Sequence, residues 1–269
     1  MKALVSALAG VDGPLDRPAL DMASIEFPSL DAGPYLQRLN EMAAELGDLT
    51  AGMSGPEFLA RANTYLFDDI GFRGNEKEYY DPRNSCLNWV LDQRIGIPIT
   101  LSLVYIEVAR RLGRPISGIG LPGHFVIQYD DGAWSTYVDP FNGGKLLSED
   151  DCRELVTSIA GAEATSDPDL LKPVSSRYIL IRMLNNLRGG YFRSEQYDRA
   201  AAVLDLLIDA LPAAGDHYKA RGVARIHLRQ FRAAQSDFER YLAIEPHASD
   251  REEIVRQMAA IHRWLASLN

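Results

Sequence analysis

The 269 residues, 46% hydrophobic and 24% charged, are enough for one large domain or two moderate ones with a sizeable core, and they read as a globular protein. A formal net charge of −9 argues against a general nucleic-acid surface and against a binder of anionic membranes. Only two cysteines, Cys86 and Cys152, are present, so no disulfide framework is available and a reducing cytoplasm is the expected location.

Met1 to Gly10 carries one basic residue, a short apolar run and a small-residue end, but the run is at the short limit for a signal peptide. Residues 1–19 are therefore expected to form a loose N-terminal arm. Pro14, Pro18, Pro28 and Pro34 break the next stretch into short helical pieces. Pro34 to Leu46 is predicted as an amphipathic helix, with Leu36, Leu39, Met42, Ala43 and Leu46 on one face and Gly47 as its stop. Ser54-Gly55-Pro56-Glu57 announces another by N-cap, N-terminal Pro and early acid. Gly71 to Asp81 is a polar loop bordering a cleft, and Asp81 to Ser85 starts a short helix bearing Cys86 and Trp89.

A long buried helix follows. Pro98 suits a first helical turn and Gly113 a left-handed end, and Leu101, Val104, Val108 and Leu112 recur at helical spacing, with Arg110 and Arg111 as the wet positions. Phe125 to Tyr129 and Trp134 to Val138 read as two strands joined by a turn with the Asp131-Gly132 hairpin signal. Such a hairpin brings its outer ends together, so His124 and Asp139 are expected side by side. A carboxylate there fixes the imidazole tautomer, as a general base requires when it activates a nucleophile. The nucleophile belongs at the N-terminus of the long helix, where Thr100 stands. Alternatively, His124 satisfies backbone carbonyls and Asp139 caps a turn.

Ser148 to Asp151 starts a further helix through Ile159, and the aperiodic run from Gly161 to Pro168 opens a linker, residues 161–176. Beyond it the chain is helical and repetitive. Ala200, Leu204 and Pro212 recur as Ala234, Phe238 and Pro246, each displaced by 34 (234 − 200, 238 − 204, 246 − 212), which is the tetratricopeptide period. Tyr191, Tyr218 and Gly222 fit first-helix positions, and Arg188 stands where the second copy has Gly222. Ser249 to Leu268 reads as a capping helix with Ile254, Met258, Ile261 and Leu265 inward. Arg221, Arg225, Arg229 and Arg232 are read as a solvated face.

Gly-Ile-Pro-x-x-Leu-Ser from Gly96, Ala-Arg-Arg-Leu-Gly from Ala109, Pro-Gly-His-Phe from Pro122 and Asp-Pro-Phe-Asn-Gly-Gly from Asp139 resemble the SirB-like branch of the transglutaminase-like superfamily. Its members carry tetratricopeptide-type helices after the core. The resemblance covers roughly residues 20 to 245 and is most specific from Asn84 to Leu147. It implies an α+β fold in which a core helix packs on a small antiparallel sheet. That core would be residues 20–160, followed by an all-α region, residues 177–269. In the active enzymes of the superfamily a Cys on the core helix, a His and an Asp form a papain-like triad. Position by position these fall on Thr100, His124 and Asp139, so the nucleophile position has changed.

A mid-chain threonine lacks the free amine that threonine nucleophiles borrow. Ser102 points roughly 200° away around the helix. Cys86, fourteen residues before Thr100 (100 − 86), reads first as an ordinary buried residue. Three functional classes follow. The first is a non-catalytic module with a protein or peptide partner. The second is a hydrolase or acyltransferase using His124 and Asp139 with Cys86 or a hydroxyl. The third is a peptide or small-ligand binder in the old cleft. No phosphate loop, metal cluster or dinucleotide fingerprint is present, so no cofactor or metal is implied; oligomeric state is not legible.

Overall fold

The computed structural model describes residues 1–11 and 13–266, with side chains through Arg263. The chain divides into two compact units, Met1–Met183 and Leu184–Asn269.

The first unit is α+β. It opens with α1 (Lys2–Leu8), α2 (Asp16–Ala23), α3 (Gly33–Leu49) and α4 (Gly55–Asn63), the last continued by a π-helical turn, Thr64–Asp69. After β1 (Arg73–Gly74), a 3₁₀ turn (Pro82–Ser85), α5 (Leu87–Gln93) and β2 (Ile95–Gly96) comes the core helix, α6 (Pro98–Arg111). Next come β3 (Ile116–Ile119), β4 (Val126–Asp130), β5 (Ser135–Asp139), β6 (Lys145–Leu147) and α7 (Glu149–Ala160). Strands β3 to β6 form one antiparallel sheet in chain order, and β1 and β2 pair separately in parallel.

Helix α6 forms where its signals predict. Pro98 occupies its first turn, the Thr100 hydroxyl accepts from the Ile97 N–H at 3.1 Å, and Gly113 takes a φ of +65° just past the end. It is buried along nearly its whole length, against the sheet on one side and α3 on another. Glu107 explains why Arg111 is not a wet residue. Glu107 is 1% exposed, and its carboxylate accepts from Leu15 N at 2.7 Å and from Arg110 and Arg111 at 2.8 Å each. Arg111 also pairs with Asp16 of α2. A carboxylate in an apolar helix face must be paired, and Glu107 finds partners both one turn along its own helix and, in Leu15 N, 92 residues away.

The same network fastens residues expected to be loose. Leu4, Ala7 and Leu8 of α1 are buried, and Asp21 receives the Met1 ammonium at 2.5 Å and Ala3 N at 3.0 Å. Gly47 does not stop α3. It lies inside the helix, where a Cβ would come within 3.0 Å of Leu112.

The second unit comprises the end of α8 (Ser176–Arg193), then α9 (Tyr197–Ala210), α10 (Gly215–His227), α11 (Phe231–Ile244) and α12 (Arg251–Ala266). Ala200, Leu204, Ala234 and Phe238 are all fully buried. Gly222 is required because a Cβ there would lie 2.6 Å from the Phe238 ring. The repeat also appears in the backbone. Glu195 and Arg229, 34 apart (229 − 195), both take left-handed φ, at +56° and +59°, and the following residue in each case bonds back to the preceding helix. Arg221 and Arg225 are not a solvated face: both grip Asp237, 3% exposed, and Arg221 also reaches Asp205 at 2.7 Å. Arg229 and Arg232 remain exposed. Ile254, Ile261 and Met258 of α12 pack inward, while the Leu265 side chain lies outside the described residues. Among the described residues no helix is long and apolar enough to cross a membrane.

Candidate functional site

The β4–β5 hairpin pairs Ile127 with Val138 and Asp130 with Ser135 around the turn at Asp131–Trp134, where Asp131 accepts from Ala133 N and Trp134 N. Each strand is displaced by one residue from its predicted span, so Asp139 is the last residue of β5 rather than the next one. At the open end, Leu121-Pro122-Gly123-His124 makes a turn closed by His124 N to Leu121 O at 3.2 Å, with Gly123 at φ +73°. Pro second and left-handed Gly third are what a type II turn requires. One guanidinium holds both ends of this turn: Arg182 Nη2 donates to Leu121 O at 2.7 Å and to His124 O at 2.5 Å.

The turn sets His124 against Asp139, with Nε2 to Oδ2 at 2.9 Å and both residues buried. Asp139 accepts three further bonds, from Phe141 N at 3.0 Å, Asn142 N at 3.3 Å and Asn142 Nδ2 at 2.7 Å. Burial works to raise its pKa, but the hydrogen bonds and charge of His124 and the bonds from Asn142 outweigh it. The carboxyl is held below the usual aspartate range. An ionised carboxylate only accepts, so His124 donates to it through its Nε2–H. The Phe141 ring stands edge-on to the imidazole, 6.0 Å between centroids, and Tyr79 packs edge-on to Phe141. The loop bearing Tyr79 is tied by Asn84, whose Nδ2 donates to Glu78 O at 2.6 Å and Tyr79 O at 3.2 Å. Behind Asp139, Asn63 Nδ2 donates to Gly144 O at 2.7 Å and fixes the return of the chain.

The third triad position differs in kind. Thr100 is fully buried, and its hydroxyl accepts from Ile97 N while lying 2.8 Å from Asn84 O and 3.1 Å from Ile97 O. Its hydrogen bonds all go to backbone, at Ile97 of the helix entry and at Asn84 of the 3₁₀ turn. Ser102 is also fully buried, and its Oγ makes no hydrogen bond among the described residues. Cys86 is fully buried at the N-cap of α5, its Sγ 3.9 Å from Pro82 O. Cys152 sits in the core under the sheet, where burial, then the charges of Asp151 and Asp139, push its thiol up to about 12.

His124 and Asp139 thus meet, and the hairpin turn that brings them together was legible, whereas the turn at Leu121–His124 was not read. Asn142 lay unremarked inside the Asp-Pro-Phe-Asn-Gly-Gly run. Arg182, 58 residues from the turn it clamps, had no local signal.

Residues 33–185 match the transglutaminase-like superfamily and residues 187–259 the tetratricopeptide repeat. A UPF0162 protein of Xylella fastidiosa (strain 9a5c) is 39% identical over 252 residues, covering 90% of this chain and 89% of that protein. A UPF0162 protein of Vibrio cholerae is 28% identical, covering 75% and 76%. F-box only protein 21 of Mus musculus is 34% identical over 169 residues, which are 58% of this chain and 26% of that protein. The fold is therefore a transglutaminase-like core followed by tetratricopeptide repeats, and the chain belongs to the transglutaminase-like superfamily, among the SirB-like UPF0162 proteins.

Proposed function

We propose that this protein is a non-catalytic transglutaminase-like protein acting as a protein-interaction or scaffold module in the cytoplasm. The carrying observation is Thr100: a hydroxyl with no exposed surface, engaged by Ile97 N and with its proton directed at backbone carbonyl oxygen, has no access to a substrate. In this reading His124, Asp139 and Asn142 are a retained hydrogen-bonded clasp that closes the hairpin end. The tetratricopeptide match supports the interaction role, since such repeats stack helices into extended binding surfaces. The similarity of 169 residues to part of a much longer F-box protein supports use as a module. Two buried cysteines with no disulfide between them support a reducing compartment.

The test is turnover. Native protein and His124→Ala are incubated with peptide amides and activated esters. The proposal predicts equal rates for the two proteins, at the level of free imidazole in solution. Turnover by the native chain that His124→Ala abolishes, with the fold intact by circular dichroism, transfers the assignment to hydrolase or acyltransferase.

A further inference from the structure

At the turn end of the β4–β5 hairpin, the end opposite His124, a cavity of about 560 Å³ opens in the first unit between the C-terminus of α6 and the start of β3. Two guanidiniums line it, those of Arg110 and Arg114. Arg114 is held from three sides. Its backbone N–H donates to Ala109 O at 3.0 Å while Gly113 N donates to Arg110 O at 3.0 Å, the paired closure of a helix that ends on a left-handed glycine. Its Nη2 donates to Met53 O at 3.2 Å, and its guanidinium lies 4.5 Å from the centre of the Phe58 ring. The closure also occupies Ala109 O and Arg110 O, carbonyls that would otherwise oppose an anion at this helix end.

No carboxylate lies within ion-pairing distance of Arg114 among the described residues, and the Tyr129 hydroxyl near it donates to Asp131 at 3.1 Å. Arg110 is matched by contrast: Glu107 accepts from its Nε at 3.0 Å and from its Nη2 at 2.8 Å, and Asp16 lies 3.7 Å away. A fixed guanidinium without a counter-ion is ready to take an anion, because the cost of ordering it is met before binding. Ser117 and Gln128 stand opposite each other on β3 and β4, and among the described residues neither Ser117 Oγ nor Gln128 Oε1 accepts a hydrogen bond. Ile106, Ile116 and Pro173 supply an apolar wall. With Arg110 matched and Asp130 also lining the cavity, the one unpaired fork suits a monoanion and not a dianionic phosphate. The outward edge of β3 is already taken at Gly118 O by Val174 N, at 2.9 Å, and at Ile119 by Pro173, so a peptide strand has no free edge to join there.

We propose that this cavity binds a small aliphatic carboxylic acid as its anion. Arg114 takes the carboxylate, and Arg110 Nη1, which makes no hydrogen bond among the described residues, adds a second donor. The hydrocarbon chain packs against Ile106, Ile116 and Pro173, and a polar group on the acid meets Ser117 and Gln128. The site is separate from the His124–Asp139 pair, so it adds a ligand to the interaction-module reading without depending on it.

The test titrates the full-length protein with hexanoate, hexanamide, acetate and inorganic phosphate, followed by NMR of the arginine Nε–H and isoleucine methyl groups and by calorimetry. Hexanoate is expected to saturate, to shift the Arg114 Nε–H and Ile116 methyl resonances, and to bind about tenfold or more tighter than hexanamide, which keeps the chain but not the charge. Acetate keeps the charge but not the chain and is expected to bind about tenfold or more weakly than hexanoate. Phosphate is expected not to displace hexanoate, and Arg114→Gln is expected to abolish the preference for acid over amide. No saturable binding, shifts confined to residues outside the cavity, equal binding of hexanoate with hexanamide or with acetate, displacement by phosphate, or a preference that survives in Arg114→Gln overturns the assignment. The ligand comparison and the map of shifts are made on the native chain and stand even if the variant fails to fold. If they fail while the turnover assay still shows no His124-dependent activity, the cavity assignment alone falls.

Discussion

Replacing Thr100 by valine separates a structural hydroxyl from a chemical one, because the two side chains have nearly the same shape. Thr100 Oγ1 accepts from Ile97 N at 3.1 Å and lies 2.8 Å from Asn84 O, in a position with no solvent exposure. Valine removes both bonds and leaves one donor and one acceptor in a dry interior, where an unmet group costs about 1–3 kcal/mol. The expected loss is about 3 kcal/mol, a fall of about 1–2 M in the urea midpoint for a slope of about 2 kcal/mol/M. Thr100→Ser keeps both bonds and gives up one buried methyl, about 1 kcal/mol. The assay is urea unfolding of the full chain by tryptophan fluorescence, with Trp89 and Trp134 reporting from the first unit. A Thr100→Val midpoint indistinguishable from native, with serine no better than valine, refutes the reasoning. It would mean that the hydroxyl is not part of the packing that holds the helix entry.

Asp237→Ala leaves Arg221 and Arg225 without their buried partner and is expected to destabilise by about 3–5 kcal/mol, read as loss of amide protection confined to the second unit. Gly222→Ala drives a methyl toward the Phe238 ring, where a Cβ would lie at 2.6 Å, and is expected to cost about 1–3 kcal/mol in thermal unfolding, while Gly189→Ala meets no atom and is expected to be neutral or stabilising. For Asp139 the folded pKa is depressed, so its contribution to stability is present above the unfolded value of about 3.9 and is lost as pH falls through the lower folded value. Native protein should therefore lose stability below about pH 4 more steeply than Asp139→Asn, as acid titration of the urea midpoint measures.

The parts of the fold that sequence made legible are those governed by local chemistry. Pro98 and Gly113 bound α6, and Asp131-Gly132 turned the hairpin whose open end brings His124 to Asp139. The 34-residue spacing located Ala200, Ala234 and Phe238 in the helical core. What sequence did not carry was pairing across distance. Arg182 clamps a turn 58 residues before it, and Glu107 draws Leu15 N from 92 residues away, so Arg111 looked solvated and the N-terminal residues loose. Arg221 and Arg225 were misjudged for the same reason, since helical spacing places them on one face but says nothing of Asp237 on the next helix. At Thr100 the sequence raised the question correctly. The geometry supplied what it lacked, namely that the hydroxyl is spent on Ile97 and Asn84.

The most direct test of the central claim is covalent labelling of the native protein and of His124→Ala with a thiol-reactive electrophile and with a serine/threonine-directed acylating probe, the modified residues being located by mass spectrometry. The account predicts that neither Thr100, Ser102 nor Cys86 is modified in the folded state in any way that depends on His124. Labelling of Thr100 or Cys86 that disappears in His124→Ala would contradict it and show that a working nucleophile faces the His124–Asp139 pair.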